Sequence, residues 1–445
     1  MKGIPILAVI FGLATLFVFP NAARAQFLTV DCSGTNPYAL FSSINAALSA
    51  AGPGAFIQVT GTCNESVFLY GADKLTLGAR FGQTANLNGN LSINNSQNIY
   101  IYGLNVTNAS GDGVDVNSSR SVVLDTCNSS GNAGNGLSAG TSSDVSITTF
   151  GTFNNNSGYG IRSDNNSYVN IYSWAGTTDI SNNETAALWI GQGNFATLGN
   201  THMANNALTT NPGLRVAIDM RGGGKAQLGS IFGPNSSNVI ENNPNGGVSL
   251  QENAEISFWS VQSSGPNIIR NNGPFGIAAG FGSQVTLAGA QITGHTGPAV
   301  DIYAHSQLYG TSQIAGLNAT QIQGNATSGG PLNTAIRVDG NSEALLRGVT
   351  ISQNNGPAIL VLVNSSADFA GNTFSGNISV ISCDSSSTMV SDLSVAARTP
   401  ASGVACTTAH SLGNRVVSMP TQAVPDVSVW KKMHSNYQQR STAQK

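Results

Sequence analysis

The chain has 445 residues, of which 9% are charged, and its 18 Lys and Arg against 21 Asp and Glu leave a formal charge of −3. It carries no Lys/Arg cluster of the kind that neutralises a phosphate backbone, so nucleic acid is not an expected partner. The low charge also excludes helical repeat arrays, which would bring Ala, Leu, Glu and Lys at 3.6-residue spacing.

Residues 1–25 read as an export signal: Lys2 supplies the positive start, Leu7 to Phe19 the apolar core, and Ala23-Arg24-Ala25 the small-x-small site before Gln26. The apolar run is shorter than the roughly 20 residues a bilayer span needs and is flanked by Pro5 and Pro20, so cleavage is expected. No later run is long enough to span. Cleavage removes two of the 18 basic residues and none of the 21 acidic ones, taking the charge from −3 to −5. A secreted product, periplasmic or extracellular and monomeric, is expected.

Residues 26–54 form the expected N-terminal cap. A helix is predicted within 31–52, with Thr35 or Asn36 as N-cap, Pro37 in the first turn, Leu40, Phe41, Ile44, Ala47 and Leu48 on one face, and Gly52 as the stop. Ala55 to Val59, Ser66 to Tyr70 and Lys74 to Leu77 read as the first strands.

From Asn98 to about Ile381 one phrase recurs: asparagines, a glycine or small residue, then an apolar residue that opens an alternating run. Its anchors are Val114, Leu137, Ile161, Leu188, Ile218, Val248, Ile277, Val300, Ile336 and Ile359, 23 to 36 residues apart. Such a period belongs to a solenoid. After the anchors come phrases such as Val114-Asp115-Val116 and Val300-Asp301-Ile302-Tyr303, which alternate as a strand with one buried face does. Neither the leucine ladder of a leucine-rich repeat nor a Gly-Gly-x-Gly-x-Asp nonapeptide recurs. Three short strands and their turns fill roughly 22 residues, so each period is one coil of an all-β, right-handed parallel β-helix over 55–383.

Asparagine pairs precede many anchors: Asn154-Asn155, Asn182-Asn183, Asn205-Asn206, Asn242-Asn243, Asn271-Asn272 and Asn354-Asn355. Asparagine tolerates the left-handed backbone of a sharp bend, and its amide is able to bond to the equivalent residue one coil away. Stacked coils then bury continuous columns of Val, Ile and Leu.

Residues 384–445 are the expected C-terminal cap and tail. Ala358 to Val363 is apolar at every position, which turns Leu360 and Leu362 outward, and a segment carrying Val427, Trp430, Met433 and Tyr437 is the expected cover. Of the five cysteines, Cys32 is expected to pair with Cys63 and Cys383 with Cys406, which leaves Cys127 buried in a strand. No Cys-x-x-Cys spacing suggests a metal.

A dry interior sends any chemistry to an outward face. The residues one and three places after each anchor form columns there, including Trp189, Asp219 with Arg221, Ser249 with Gln251, Ala278 with Gly280, Asp301 with Tyr303, and Arg337 with Asp339. Small residues from Ser249 to Gly280 would make a shallow floor between charged walls, a shape that suits glycans. Asp301 should face Arg337 and lie about 8 Å from Asp339 on the diagonal, within the roughly 6.5–9.5 Å of an inverting glycosidase pair. The candidate catalytic set is Asp301, Asp339, His305 and Arg337. Trp189, Asp219, Arg221, Gln251 and Tyr303 are the candidate sugar-binding residues. Opposite charges across a ladder are also commonly plain surface pairs worth under about 1 kcal/mol.

From about residue 27 to 383 this coil pattern resembles the bacterial right-handed parallel β-helix proteins of the pectin-lyase-like superfamily. The resemblance implies the fold, a helical cap at the N-terminal end, and a polysaccharide partner. The superfamily spans lyases, hydrolases, epimerases and members without assigned roles, so the reaction is not implied. Of the polygalacturonase motifs only the fragment Gly294-His295-Thr296 is present, and the uronan epimerase Asp-Pro-His is absent. No cofactor is expected from the residues. Calcium enters only through the resemblance to pectate lyases, and Gly111-Asp112-Gly113 with Asp115 is the nearest phrase to a metal loop. Two readings stand: an enzyme that cleaves or modifies polysaccharide by acid–base chemistry on the outer face, and a non-catalytic adhesin or envelope component.

Overall fold

The computed structural model describes residues 26–208, 216–229, 237–328 and 333–391, together with 407–408 and 435. The expected signal segment, Cys406, and the Val427 to Tyr437 residues named above lie outside the described residues. Among those described, the strands form two parallel sheets of 26 and 13 strands, with one helix.

The 13-stranded sheet takes one strand from every coil, from Val67–Tyr70 to Ser379–Cys383. All ten anchors fall on it in unbroken register: Val114 opposite Leu137, then Ile161, Leu188 and Ile218, on through Val248, Ile277, Val300, Ile336 and Ile359 to Ile381. Every one is at most 3% exposed. The 26-stranded sheet merges two further ladders. Most coils enter them by separate strands, such as Glu255–Trp259 and Asn267–Arg270, whereas Arg120–Ser130 runs through both. Three ladders per coil, all parallel, are the three walls expected of a β-helix. Strand-to-strand crossovers of this kind wind right-handed.

The asparagine pairs divide the two tasks that the bend requires. In Asn182-Asn183, Asn205-Asn206, Asn242-Asn243 and Asn271-Asn272 the first residue takes positive φ, 52° to 57°, and the second is a fully buried rung. Each rung accepts on its Oδ1 from the backbone N–H of the preceding rung, as Asn183 does from Asn156 at 3.1 Å and Asn206 from Asn183 at 3.1 Å. Each also donates from Nδ2 to a carbonyl of the coil before, as Asn183 does to Phe153. At Asn154-Asn155 the rung is the next residue, Asn156, and at Asn354-Asn355 the left-handed residue is Gln353.

Gly294-His295 occupies the same two positions. Gly294 has φ 75°, and His295 is fully buried between the Asn272 and Asn325 rungs. Its backbone N–H donates to Asn325 Oδ1, while its ring nitrogens face the carbonyls of Asn272 and Ile269 at 2.9 and 3.2 Å. The hydrolase-like fragment is therefore a ladder rung facing inward. At the opposite bend buried serines stack in the same way, Ser96 on Ser119, Ser143 and Ser167, and again Ser283 on Ser306, Ser342 and Ser365.

The helix spans Ile44–Ala50, later than the sequence suggests, with Ser43 as N-cap accepting from the Ala46 N–H. Asp31 explains the delay. Its carboxylate accepts from the backbone N–H groups of Ser33 and Asn36, and so winds 33–36 into a turn, while Phe41 bridges to Val30 as extended chain. Leu40 is consequently 63% exposed rather than on a buried helix face. Ile44 and Ala47 are buried against the first strands, and the last turn closes at Ala51, whose N–H donates to Leu48. Cys32 and Cys63 are disulfide-linked across 31 residues. Cys383 is disulfide-bonded, and Cys127 is free and buried, its thiol pushed up to about 12 by burial.

Leu360 faces outward in register between Arg337 and Ser382 and is nonetheless buried. The long step from Val300 to Ile336 is spent partly between Thr311 and Gln321, where Leu317 packs on Trp259 and Ala288, away from the 13-stranded sheet.

Candidate functional site

Alternation on the 13-stranded sheet sends one residue out beside each buried anchor, so outward neighbours are also in register. Trp189, Asp219, Ser249, Ala278, Asp301 and Arg337 stand in that order on successive coils. With coils about 4.8 Å apart, Asp219 and Asp301 are separated by roughly 14 Å of floor made by Ser249 and Ala278.

At one end Asp301 and Arg337 are directly opposite, and the guanidinium grips the carboxylate with both arms, Nε to Oδ1 at 2.7 Å and Nη2 to Oδ2 at 2.6 Å. The side chains are 14% and 25% exposed, so the pair is largely withdrawn from water. Burial pushes the Asp301 carboxyl above the usual carboxylate range, the Arg337 guanidinium opposes the rise, and the nearby Asp339 adds to it. Asp339 lies two residues beyond Arg337, on the Asp301 diagonal, and its carboxylate has no partner among the described residues.

At the other end Arg221 reaches back along its own strand to Asp219, with both contacts at 3.3 Å. Burial raises the Asp219 carboxyl, and Arg221 counters it. The same guanidinium sits 5.5 Å from the Trp189 ring centroid, a cation–π contact. Trp189 donates its indole N–H to Asp164 at 2.9 Å and leans on Tyr159 at 5.7 Å.

Tyr303 lies across Gly280, where any Cβ would run into the ring, and meets the exposed Phe281 edge-on at 5.9 Å. Gln251 is half-buried beside the floor, its amide without a hydrogen bond among the described residues. His305 stands apart. It is exposed in the turn after Val300–Ile302 at φ 65°, and its backbone N–H donates to Gly340. Its imidazole has no partner among the described residues. Thus Asp301, Arg337, Asp339 and Tyr303 are brought together, Trp189, Asp219 and Arg221 form a second group, and His305 borders the first without joining it.

The same columns begin at the N-terminal end with Phe68 and Tyr70, 62% and 77% exposed. They line a cleft of about 210 Å³ with Leu48, Pro53 and Asp73. By coil spacing, Phe68 lies about 24 Å from Trp189 and Trp189 about 19 Å from Tyr303.

Among the described residues the one trio with metal-ligand spacing is Cys32, Cys63 and Glu65. Its sulfurs are spent in the disulfide, and Glu65 accepts the Ile44 and Asn45 N–H groups at the helix start, so the trio is structural. A cluster on another wall escapes a reading built on the anchors. His202 places Nδ1 3.2 Å from Asp179 and Nε2 2.9 Å from Glu241, which also pairs with Arg270. The signal available in sequence was a charged residue just before successive bends, obscured by unequal coil lengths.

No protein-family model and no curated protein matches the chain. Among solved structures, the A-module of mannuronan C-5 epimerase AlgE4 from Azotobacter vinelandii is similar at 14% identity and a TM-score of 0.45, covering 76% of this chain and 91% of that one. Pectate lyase Pel9A is similar at 12% identity and a TM-score of 0.40, over 64% and 74% of the two chains. An alginate lyase from Paenibacillus sp. str. FPU-7 gives 14% identity and a TM-score of 0.28, over 79% and 97%. The three parallel ladders and their inward anchors identify this chain as a right-handed parallel β-helix.

Proposed function

We propose that the protein binds a polysaccharide chain laid along the outer face of the 13-stranded sheet, acting outside the cytoplasm as a monomer. The observation that carries this reading is a floor of small residues, Ser249 and Ala278, bounded by two immobilised Asp–Arg pairs and by the Trp189 and Tyr303 rings. Flat rings and fixed polar forks at the rim of a shallow groove are what a sugar chain needs, since its faces are apolar and its edges carry hydroxyls. The exposed Phe68 and Tyr70 extend the same face toward the N-terminal end. Export fits the apolar leader at residues 1–25 and the Cys32–Cys63 disulfide.

Titration of the purified mature protein against a polysaccharide panel tests this reading. Ala278→Trp, which fills the floor, and Trp189→Ala should each weaken binding about tenfold or more. Unaltered binding in both variants would refute the groove. Running the titrations with EDTA and with added calcium tests whether a metal takes part.

A second reading, catalysis by Asp301 and Asp339 as acid and base with His305 nearby, draws on the raised Asp301 carboxyl and the unpartnered Asp339. Against it stands the two-armed grip of Arg337, which occupies both Asp301 oxygens. Release of reducing ends or unsaturated products by the wild type, abolished in Asp339→Asn with folding intact, would favour this second reading.

A further inference from the structure

Charge pairing on the proposed groove specifies the class of glycan it takes. From Asp115 to Asp339 the outward face of the 13-stranded sheet carries five carboxylates, Asp115, Asp164, Asp219, Asp301 and Asp339, against three guanidiniums, Arg162, Arg221 and Arg337. Each guanidinium is already engaged by a carboxylate of the same face. Arg162 donates to Asp164, Arg221 to Asp219, and Arg337 to Asp301 through both arms. Asp115 is held by the Asn117 amide at 2.8 Å, and Asp339 has no cation beside it among the described residues.

A polymer of uronic acid brings one carboxylate per residue and needs unspent arginine forks or lysines to receive them. This face offers no lysine among the described residues, and the charge of each of its arginines is already matched by a carboxylate, so each added anion would meet the Asp339 charge or compete for a guanidinium whose own carboxylate would then lose its partner. A neutral glycan meets no such conflict. Its hydroxyls donate to the free lone pairs of Asp339 and to the Gln251 amide oxygen, and its ring faces rest on Trp189 and Tyr303. We infer that the groove recognises neutral polysaccharide and discriminates against polyuronates, an inference that rests on the glycan-binding reading above.

Affinity gel electrophoresis of the mature protein tests the inference. The gels contain a neutral galactomannan, xylan or β-glucan in one set, and polygalacturonate or alginate in the other, at low and high salt. The expected result is retardation by at least one neutral glycan, insensitive to salt and lost in Ala278→Trp, with polyuronates bound about tenfold more weakly or not at all. Asp339→Asn should narrow the gap between the two classes by relieving repulsion. Retardation by a polyuronate but by no neutral glycan, salt-sensitive and lost in Ala278→Trp, would overturn the inference while leaving the groove as the binding site. Neutral glycan binding that survives Ala278→Trp, or binding of neither class, would overturn the groove itself and the inference with it.

Discussion

Replacing Asn243 with alanine should destabilise the fold by about 2–6 kcal/mol, because the residue is a fully buried rung whose every polar atom is in use. Its Oδ1 accepts the Asn206 backbone N–H at 2.8 Å and the Asn206 amide at 3.2 Å. Its Nδ2 donates to Asn272 Oδ1 at 2.8 Å, to Glu241 O at 2.9 Å and to Met203 O at 3.2 Å. Asn206 Nδ2 keeps its bonds to Ile180 and Ala204, and Asn272 Oδ1 keeps the Asn243 backbone N–H. The Asn206 N–H and the contact to Met203 O are the losses that matter, and each orphaned buried group costs about 1–3 kcal/mol. Asn355→Ala is the matched control. Asn355 is exposed and bonds to Asn325 through its main chain, so the loss should stay within about 0.5 kcal/mol. Urea unfolding followed by circular dichroism compares the two. Coils contact only their neighbours, so the Asn243 variant should also show a separated early transition. Equal midpoints for the two variants would refute the assignment of the ladder as a principal support of the coil stack.

Three further outcomes follow from the same geometry. His295→Asn should be neutral or stabilising by up to about 1 kcal/mol in thermal melts, since an amide is able to complete the bond to Asn325 Oδ1 that the imidazole does not make; a large loss would show that the ring has a role of its own. His202 is raised above its ordinary value first by its bond to Asp179 and then by Glu241, against burial. A raised folded value means that its contribution is complete below the unfolded pKa of about 6.5 and fades as pH rises through the folded one. Being partly exposed, the cluster should contribute under about 1 kcal/mol, so melting temperatures measured across that window should fall slightly in the wild type and stay flat in His202→Gln. Removing Cys32 and Cys63 together should cost about 3–4 kcal/mol on the chain-entropy account, read as early proteolysis confined to the first coils.

Much of the fold was legible because a solenoid repeats its instructions. The anchor residues mark one wall, the alternation after them marks its two faces, and ten coils of agreement outweigh any single ambiguous strand. The helix begins later than Asn36 and Pro37, good first-turn residues, would suggest, because the competing claim on that backbone comes from the Asp31 carboxylate, whose hold on 33–36 no local pattern reveals. Gly294-His295-Thr296 matches a fragment of the polygalacturonase motifs in sequence, and only the inward orientation of His295 shows that it stands where the neighbouring coils place a rung asparagine.

Sequence alone determined the coil: which residues point inward, which turn the corner, and which pairs of outward residues become neighbours, as Asp301 and Arg337 do. These are consequences of period and alternation, which act residue by residue along the chain. Tertiary structure alone decided how those neighbours spend their charge. Whether Arg337 grips Asp301 or reaches outward, and whether Tyr303 lies flat across Gly280, depends on burial and on side-chain geometry between coils 23 to 36 residues apart. Spacing in a sequence brings groups together, but the desolvation that turns a surface pair into a closed one exists only once the coils are stacked.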